Sequence, residues 1–306
     1  MRPIRVVYWN STVNNYGDLL SPYIIQGLTG CEIIKKNYFV GNSNSHLYQI
    51  FKSLINFDIN LNTNYLFPFE KPIIAIGSIL SHGNSHSKIW GSGFMSKDER
   101  CNGGKIYAIR GYKSLSIIQE QIKKGDSIKL NKNYTVGDPA LLLPLLVNPS
   151  LKKKYKISII PHFSEIEYFK KQYSQRYNII DLRTENIEDT TKSITSSQVI
   201  LSTSLHGIIV AHAYGIPAIW MELTGLEQNT NGFKFYDYFS SIGISNYSPV
   251  RNIDQILSND KSIELTFKYY KDVSLPPKML VREIQSNLLA CAPFKITDSI
   301  KKKILQ

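Results

Sequence analysis

Cysteine is scarce in this chain of 306 residues: there are three, at Cys31, Cys101 and Cys291, and no two of them form a CxxC spacing. This pattern excludes a disulfide framework and a cysteine-rich zinc site as the basis of the fold. Long apolar runs are also lacking, since no stretch approaches the roughly 18 consecutive apolar residues of a membrane span. The chain opens without a charged segment followed by an apolar one, so we expect no secretory leader and a cytoplasmic location.

Acidic residues are in deficit, because 36 Lys and Arg stand against 24 Asp and Glu, a formal net charge of +12. Such an excess attracts nucleic acids, anionic lipids and phosphorylated small molecules alike. No array of interleaved basic and aromatic residues indicates a nucleic-acid module. The lysine runs at 152–154 and 301–303 are typical of solvated faces, and peripheral contact with the anionic inner face of the cytoplasmic membrane is the alternative.

Most apolar runs of the chain are continuous rather than alternating, which is typical of parallel strands covered on both faces. Helical segments lie between them, and this order predicts an α/β protein with doubly wound sheets. A polar stretch with a proline at 148–154 separates two series of such units. We therefore predict two Rossmann-like domains, residues 1–150 and 151–306. The predicted strands are 5–9, 73–76, 106–109, 134–136, 157–160, 179–180, 199–201 and 218–220.

The most informative segment is 199–223, VILSTSLHGIIVAHAYGIPAIWMEL. An apolar strand ends at three hydroxyl residues, 202–204, which are suited to cap the helix that follows. His206 and Gly207 then fall in the first turn of that helix, where unpaired N–H groups and the helix dipole favour an anion. Histidine adds a proton donor there and glycine lets a ligand approach the backbone, while a histidine that merely packs is the alternative.

Other motifs follow one another in a fixed order along the chain. They are NNYGDLL at 14–20, AIGSIL at 75–80, WGSG at 90–93, IRGYKS at 109–114, VGDPALL at 136–142, PHF at 161–163 and GFKFYDY at 232–238. Together with 199–223, this ordered set resembles the polysaccharide pyruvyl transferase family over about residues 5 to 245. One departure matters, since many relatives carry arginine directly before the Leu-His-Gly, where this chain has Ser204.

The resemblance implies transfer of a pyruvyl group from phosphoenolpyruvate to two hydroxyls of a sugar, forming a cyclic ketal. The acceptor would be a unit of a bacterial surface polysaccharide or of its precursor, and a lipid-linked precursor is one of the alternatives. It also implies a GT-B-like fold with a cleft between an N-terminal acceptor half and a C-terminal donor half. The C-terminal helix would pack back on the N-terminal half. Neither a metal nor an organic cofactor is expected.

Phosphoenolpyruvate carries a phosphate and a carboxylate, so its site needs cations and N–H groups. Arg110 follows the strand 106–109, at the sheet edge that faces the expected cleft, although a surface arginine in an ion pair is the alternative. Arg183 holds the equivalent place after the strand 179–180 and is a replacement for the guanidinium missing at Ser204. With Ser204, His206 and Gly207, these arginines form the predicted donor site.

Ketal formation requires an acid and a base. His206 is the predicted acid or phosphate contact, and His162, after the strand 157–160, is the second choice. Asp18 is the predicted base or a ligand of the acceptor hydroxyl. Its alternative role is to cap the helix that begins near residue 19.

The acceptor side is predicted from amide and aromatic residues. Asn14, Asn15 and Gly17 precede Asp18, and amide groups suit the binding of sugar hydroxyls. Lys234 and Asp237 lie in an aromatic-rich segment on which a sugar would stack. The alternative is that these aromatic rings belong to the core.

Two other functions stay open at this point. A glycosyltransferase that uses a nucleotide sugar would have to be metal-independent, since the chain has no Asp-x-Asp motif, with Glu222 near the ribose. A non-catalytic carbohydrate-binding protein is the other, and Ser204 in place of arginine keeps it open. The acceptor sugar and the oligomeric state are not fixed by the sequence.

Overall fold

The computed structural model describes residues 2–9, 14–36, 70–223 and 231–304. Within these ranges the chain forms two parallel sheets with helices packed on them, which confirms the α/β class. None of the described helices combines the length and apolar composition that a bilayer crossing requires.

The first sheet has the strand order β2-β1-β3-β4-β5-β6, and every neighbouring pair is parallel. Its central strands are rich in isoleucine and valine, which favour a pleated surface covered on both sides. Helix α1 (Tyr16–Thr29) follows β1, and helix α2 (Tyr112–Lys123) follows β5. The strands are β1 (Ile4–Val7), β2 (Ile33–Lys36), β3 (Ile73–Ile74), β4 (Lys88–Trp90), β5 (Gly104–Ile109) and β6 (Ile128–Val136).

The second sheet has the order β10-β9-β7-β8 and is also parallel throughout. Its strands are β7 (Tyr155–Ile160), β8 (Asn178–Ile179), β9 (Ser197–Ser202) and β10 (Ala218–Trp220). Helices α3 (Ile166–Tyr173), α4 (Ile187–Thr195) and α5 (Leu205–Ala213) lie between them in sequence. The segment 199–223 therefore forms the strand, turn, helix and strand that its pattern predicts.

The remaining helices are α6 (Phe233–Ser241), α7 (Ile253–Ile256), α8 (Asp260–Tyr269), α9 (Lys278–Ala290) and α10 (Asp298–Ile304). Two 3₁₀ segments, Leu80–His82 and Pro139–Leu145, complete the described elements. Helix α9 reaches the first sheet, where the Trp90 indole N–H donates to the carbonyl of Leu288 at 3.0 Å.

The two sheets share one continuous hydrophobic core. Val6 and Trp90 of the first sheet belong to the same buried cluster as Ile160 and Leu205 of the second. The 3₁₀ segment Pro139–Leu145 packs between them, against α1 and α5. Burial of this apolar surface holds the two sheets in a fixed relation.

A buried ion pair connects α6 to the first sheet. Arg110 and Asp237 are both fully buried, and the Arg110 Nε donates to Asp237 Oδ2 at 2.9 Å. The other guanidinium nitrogens donate to Ser78 Oγ at 2.6 Å and to the carbonyl of Phe94 at 2.5 Å. Asp237 also accepts from the backbone N–H of Ser114 at 2.7 Å, so it caps α2 from a distant helix.

Replacing Asp237 with alanine should lower the free energy of unfolding by about 3–5 kcal/mol, because it leaves the Arg110 charge buried without a partner. Urea denaturation measures this change. The matched control is Glu264→Ala, which breaks the exposed pair between Lys156 and Glu264 and should cost at most about 1 kcal/mol. Equal losses in the two variants would contradict a structural role for the buried pair.

Candidate active site

A pocket of about 310 Å³ lies where the strands of both sheets end. Its lining comes from segments that directly follow β1, β3, β7, β8 and β9, and from the first turn of α6. Carboxyl ends of parallel strands are the usual place for ligands in α/β proteins. The lining residues are Trp9, Asn15, Asp18, Gly77, Ser78, Ile79, His82, Met95, Glu99, His162, Phe163, Leu182, Ser204, Leu205, His206 and Lys234.

Half of the twelve predicted site residues line this pocket. The structure brings together Asn15, Asp18, His162, Ser204, His206 and Lys234. Donor-side and acceptor-side predictions therefore meet in one cavity. The remaining predicted residues are Asn14, Gly17, Arg110, Arg183, Gly207 and Asp237.

Asp18 lies in the first turn of α1, but it does not cap that helix. Asn15 is the N-cap, since its side chain accepts from the backbone N–H of Gly17 at 3.2 Å. The Asn15 amide also donates to Asp18 Oδ2 at 3.0 Å. Burial raises the pKa of Asp18 to about 7, although the Asn15 hydrogen bond and the charges of Lys35 and Lys234 oppose this rise. A carboxyl group that titrates near neutrality is suited to accept a proton.

None of the three hydroxyl side chains before α5 caps the helix as predicted, and those of Ser202 and Thr203 bond to other groups. Ser202 Oγ donates to the carbonyl of Ile160 at 2.8 Å and accepts from the N–H of Ser204 at 3.0 Å. Thr203 donates to the carboxylate of Glu165. Ser204 is the N-cap residue, yet its side chain makes no capping hydrogen bond. The N-terminus of α5 is thus left without a side-chain cap where it lines the pocket.

His206 lies in this first turn of α5, with its ring against α1. A Cβ atom added at Gly17 would lie 2.1 Å from His206 Nδ1, so only glycine fits there. The Nε2 atom is buried and has no hydrogen-bond partner among the described residues. Burial, with the charges of Arg110 and Lys234, lowers the pKa of His206 to about 3. His206 is therefore a neutral imidazole near pH 7, and a bound anion would favour the protonated form that the predicted acid needs.

His162 is the second histidine of the pocket, and it too is neutral near pH 7. Burial and the charge of Lys234 lower its pKa to about 4. Its Nδ1 is hydrogen-bonded to Ser164 Oγ at 2.8 Å, and its backbone N–H donates to Thr203 Oγ1 at 2.7 Å. These bonds hold the ring in place at the pocket wall.

Lys234 brings a cation into the pocket from α6. Its side chain is 7% exposed, and within the described ranges no carboxylate lies within 4.0 Å of its Nζ. Burial lowers its pKa to about 8; the charge of Arg110 acts in the same direction, and those of Glu165 and Asp18 oppose it. Lys234 is therefore a cation available to an anionic ligand, in a chain that lacks arginine at position 204.

The structure corrects the predictions for Arg110 and Asp237. Neither lines the pocket, because each is the other's buried partner. Arg110 forms an ion pair as the alternative predicted, but it is fully buried rather than at the surface. The aromatic residues next to Asp237 belong to the hydrophobic core and do not form a surface on which a sugar could stack, since Phe235, Tyr238 and Phe239 are at most 3% exposed. Gly207 is packed in the direction of a Cβ atom, since an added Cβ would lie 2.6 Å from Ser202 Oγ, so a ligand does not approach its backbone from that side.

Arg183 and Asn14 also lie outside the pocket lining. Arg183 donates from Nη2 to Asp181 at 2.8 Å and to Glu167 at 2.6 Å, so two carboxylates already neutralise its charge. Asn14 donates to Glu185 Oε1 at 2.5 Å. Both side chains are held by acidic neighbours close to them.

Several lining residues were not predicted as site residues, notably Trp9, Ser78, Glu99 and Phe163. The rule that strand ends gather at one edge points to Trp9 and Phe163, since each follows the first strand of its sheet. That rule does not point to Glu99, because Glu99 lies well after the end of β4, in the connection to β5. The sequence does not indicate that this connection reaches the pocket.

The Polysaccharide pyruvyl transferase family model matches residues 102–224, which supply His162, Ser204 and His206 to the pocket. Over these residues the chain is similar to this family. It is 30% identical over 193 residues, 61% of its length, to Uncharacterized protein L143 of Acanthamoeba polyphaga mimivirus. It is 32% identical over 118 residues, 37% of its length, to Succinoglycan biosynthesis protein ExoV of Rhizobium meliloti.

These matches cover 62% of the mimivirus protein and 36% of ExoV, so the chain spans less than two thirds of either relative. No solved structure matches the chain significantly. The residues matched by the family model include β9 and α5, which carry the most informative segment of the sequence.

Replacing Gly17 with alanine should force the His206 ring to move and lower the free energy of unfolding by about 1–3 kcal/mol. In a His206→Ala background the same substitution has room. There it should be neutral or stabilising by about 1 kcal/mol, the helix propensity difference. A double-mutant cycle by urea denaturation measures the coupling. An equal cost of Gly17→Ala in both backgrounds would contradict the contact.

Asp18 should make stability depend on pH. Its pKa is about 7 in the folded protein against an ordinary value of 3.8, so between these values the folded state keeps a proton that the unfolded chain has lost. Stability from this group therefore falls as pH rises from about 4 to 7. We expect the stability of Asp18→Asn relative to the unsubstituted protein to rise over that range in urea denaturation. A constant or falling difference would contradict the raised pKa.

Proposed function

We propose that this protein transfers the pyruvyl group of phosphoenolpyruvate to two hydroxyls of a sugar, forming a cyclic ketal. One observation carries the proposal: Lys234, the uncapped N-terminus of α5 with His206, and Asp18 line the same pocket. The similarity of residues 102–224 to the polysaccharide pyruvyl transferase family supports the reaction class. The similarity to ExoV, a protein of succinoglycan biosynthesis, supports a polysaccharide or a polysaccharide precursor as the acceptor.

The donor would bind through its two anionic groups. Lys234 and the N–H groups at the start of α5 are the partners that a phosphate or carboxylate requires. Lys234 then takes the place of the arginine that many relatives carry at the position of Ser204. A bound anion would raise the pKa of Lys234 and of His206, because it stabilises their protonated forms.

The reaction removes one proton from each of two sugar hydroxyls, adds one proton to the methylene carbon and leaves the other on the departing phosphate. A proton goes to the methylene carbon of phosphoenolpyruvate, a sugar hydroxyl adds to the neighbouring carbon, and phosphate leaves as the second hydroxyl closes the ketal. His206, protonated once the donor is bound, would supply the first proton. Asp18 would accept a proton from an attacking hydroxyl, since its pKa near 7 lets it exchange protons at neutral pH.

The wider setting of this reaction is part of the same proposal. The two sheets would correspond to the two halves of a GT-B-like fold, with Asp18 on the acceptor side and Lys234 on the donor side. The reaction would take place in the cytoplasm. Lys152 and Lys154 are exposed beside the fully exposed Leu151, and such a basic and apolar edge suits peripheral contact with an anionic membrane that carries a lipid-linked acceptor.

Lys234→Met should weaken the binding of phosphoenolpyruvate at least about tenfold, because it removes the cation from a buried site. Calorimetric titration at moderate salt measures the affinity. The matched control is Lys154→Met, which changes the net charge equally at an exposed position outside the pocket and should leave the affinity unchanged.

Parallel titrations with inorganic phosphate and a uridine diphosphate sugar separate the alternatives. Phosphoenolpyruvate should bind more tightly than phosphate, and His206→Ala should weaken it. Binding of the nucleotide sugar instead would support the glycosyltransferase, although Glu222 lies outside the pocket lining and is paired with Arg251 at 2.9 Å. A sugar bound without any donor or turnover would support the carbohydrate-binding protein.

A further inference from the structure

Two aromatic side chains that line the pocket, Trp9 and Phe163, are exposed to solvent. The chain has three tryptophans, and Trp90 and Trp220 are 0% and 3% exposed, whereas Trp9 is 50% exposed. Phe163 is 43% exposed. Large aromatic rings are costly to leave in water, so exposed rings that line a cavity indicate a surface that a ligand covers.

The two rings hold corresponding positions on the two sheets. Trp9 lies two residues after β1 ends, and Phe163 lies three residues after β7 ends. Each ring is supported by a histidine of the same pocket: the centroids of Trp9 and His82 are 5.7 Å apart, and those of Phe163 and His162 are 4.3 Å apart. Such contacts hold a ring in place before a ligand arrives, which lowers the entropy cost of binding.

Charge divides the pocket into two parts. Lys234 lies close enough to His162 and His206 to lower the pKa of both. Glu99 acts in the opposite direction on His82, the residue that supports Trp9. The part near Lys234 therefore attracts an anion, whereas the part near Trp9 carries a carboxylate that repels one.

A neutral sugar matches the acidic and aromatic part. One face of a pyranose ring is made of C–H groups that pack on an aromatic ring, and its hydroxyls donate to carboxylates. Glu99 Oε2 accepts from the Met95 N–H at 2.7 Å, so the carboxylate is fixed with Oε1 still able to accept. The base of a nucleotide would stack equally well, but the phosphates of that nucleotide would then lie near this carboxylate.

We propose that Trp9 and Phe163 form the aromatic walls of an acceptor subsite that binds a neutral pyranose unit, with Glu99 as a hydroxyl acceptor. This inference rests on the proposed function and names the part of the pocket that the acceptor occupies. It replaces the aromatic segment 232–238 as the stacking surface, because the rings of that segment lie in the core. It also separates the acceptor from the donor, which Lys234 binds.

The test uses the intrinsic fluorescence of Trp9 and its quenching by acrylamide, since the other two tryptophans are buried. The probes are the methyl glycosides of galactose, glucose and mannose, with and without phosphoenolpyruvate. At least one glycoside should protect Trp9 from quenching. Calorimetry should then show that Trp9→Ala and Phe163→Ala raise the Kd of that glycoside about tenfold, while Trp9→Phe, which keeps a ring, retains most of the affinity.

Two controls separate a subsite from a structural effect. Tyr269→Ala removes an aromatic ring that is 81% exposed and lies outside the pocket, and it should leave glycoside binding unchanged. The affinity of Trp9→Ala and Phe163→Ala for phosphoenolpyruvate should stay within about twofold of that of the unsubstituted protein. Loss of both ligands in parallel would overturn the subsite.

Failure of the subsite and failure of the proposed function are distinguishable. If no glycoside protects Trp9, or if the alanine variants bind glycosides normally, the subsite is overturned whatever the donor does. If a glycoside protects Trp9 but phosphoenolpyruvate does not bind, the subsite is supported and the pyruvyl transfer is contradicted.

Discussion

The buried ion pair between Arg110 and Asp237 is the constraint on which the arrangement of the site depends. It joins β5 to α6, and the same carboxylate caps α2. Lys234 and Asp237 are three residues apart on α6 and so lie on one side of that helix. Holding Asp237 against Arg110 therefore also sets where Lys234 enters the pocket. Breaking such a pair leaves an uncompensated charge in the interior, which makes the position of α6 difficult to change.

The same pair also shapes the electrostatics of the pocket. The charge of Arg110 adds to burial in lowering the pKa of His206 and of Lys234, although its own hydrogen bonds are all directed elsewhere. Near pH 7 His206 is neutral, whereas Asp18, with a pKa of about 7, exchanges its proton. Binding an anionic donor should favour protonation of His206, because the opposite charge offsets the cost of burial. Donor binding would thus protonate His206 before the proton transfer. This order would follow from the coupling of donor binding to protonation and would require no conformational change.

Part of this site could be predicted from sequence because parallel strands end at one edge. That rule found Asn15, Asp18, His162 and His206, which follow three different strands and meet in one pocket. It failed for Arg110, whose partner lies 127 residues away along the chain, a contact that no local pattern indicates. The hydrogen-bond partners of the hydroxyl residues before α5 could not be predicted from local sequence either.

The capping prediction treated Ser202 and Thr203 as partners of the helix alone, whereas the fold offers them the carbonyl of Ile160 and the carboxylate of Glu165. Spacing identified the right turn but not which hydrogen bonds its side chains make. The exposure of Trp9 could not be predicted either, because a tryptophan at the end of a core strand is expected to be buried. Only the fold places it at the pocket.

The most direct measurement is a crystal structure of the protein with phosphoenolpyruvate bound. The account predicts an anionic group of the donor within hydrogen-bond distance of Lys234 Nζ and of His206 Nε2. Arg110 should remain paired with Asp237, and the space beside Trp9 should stay open for the sugar. A donor held by Arg110 after release of Asp237, or a donor bound outside this pocket, would contradict the account.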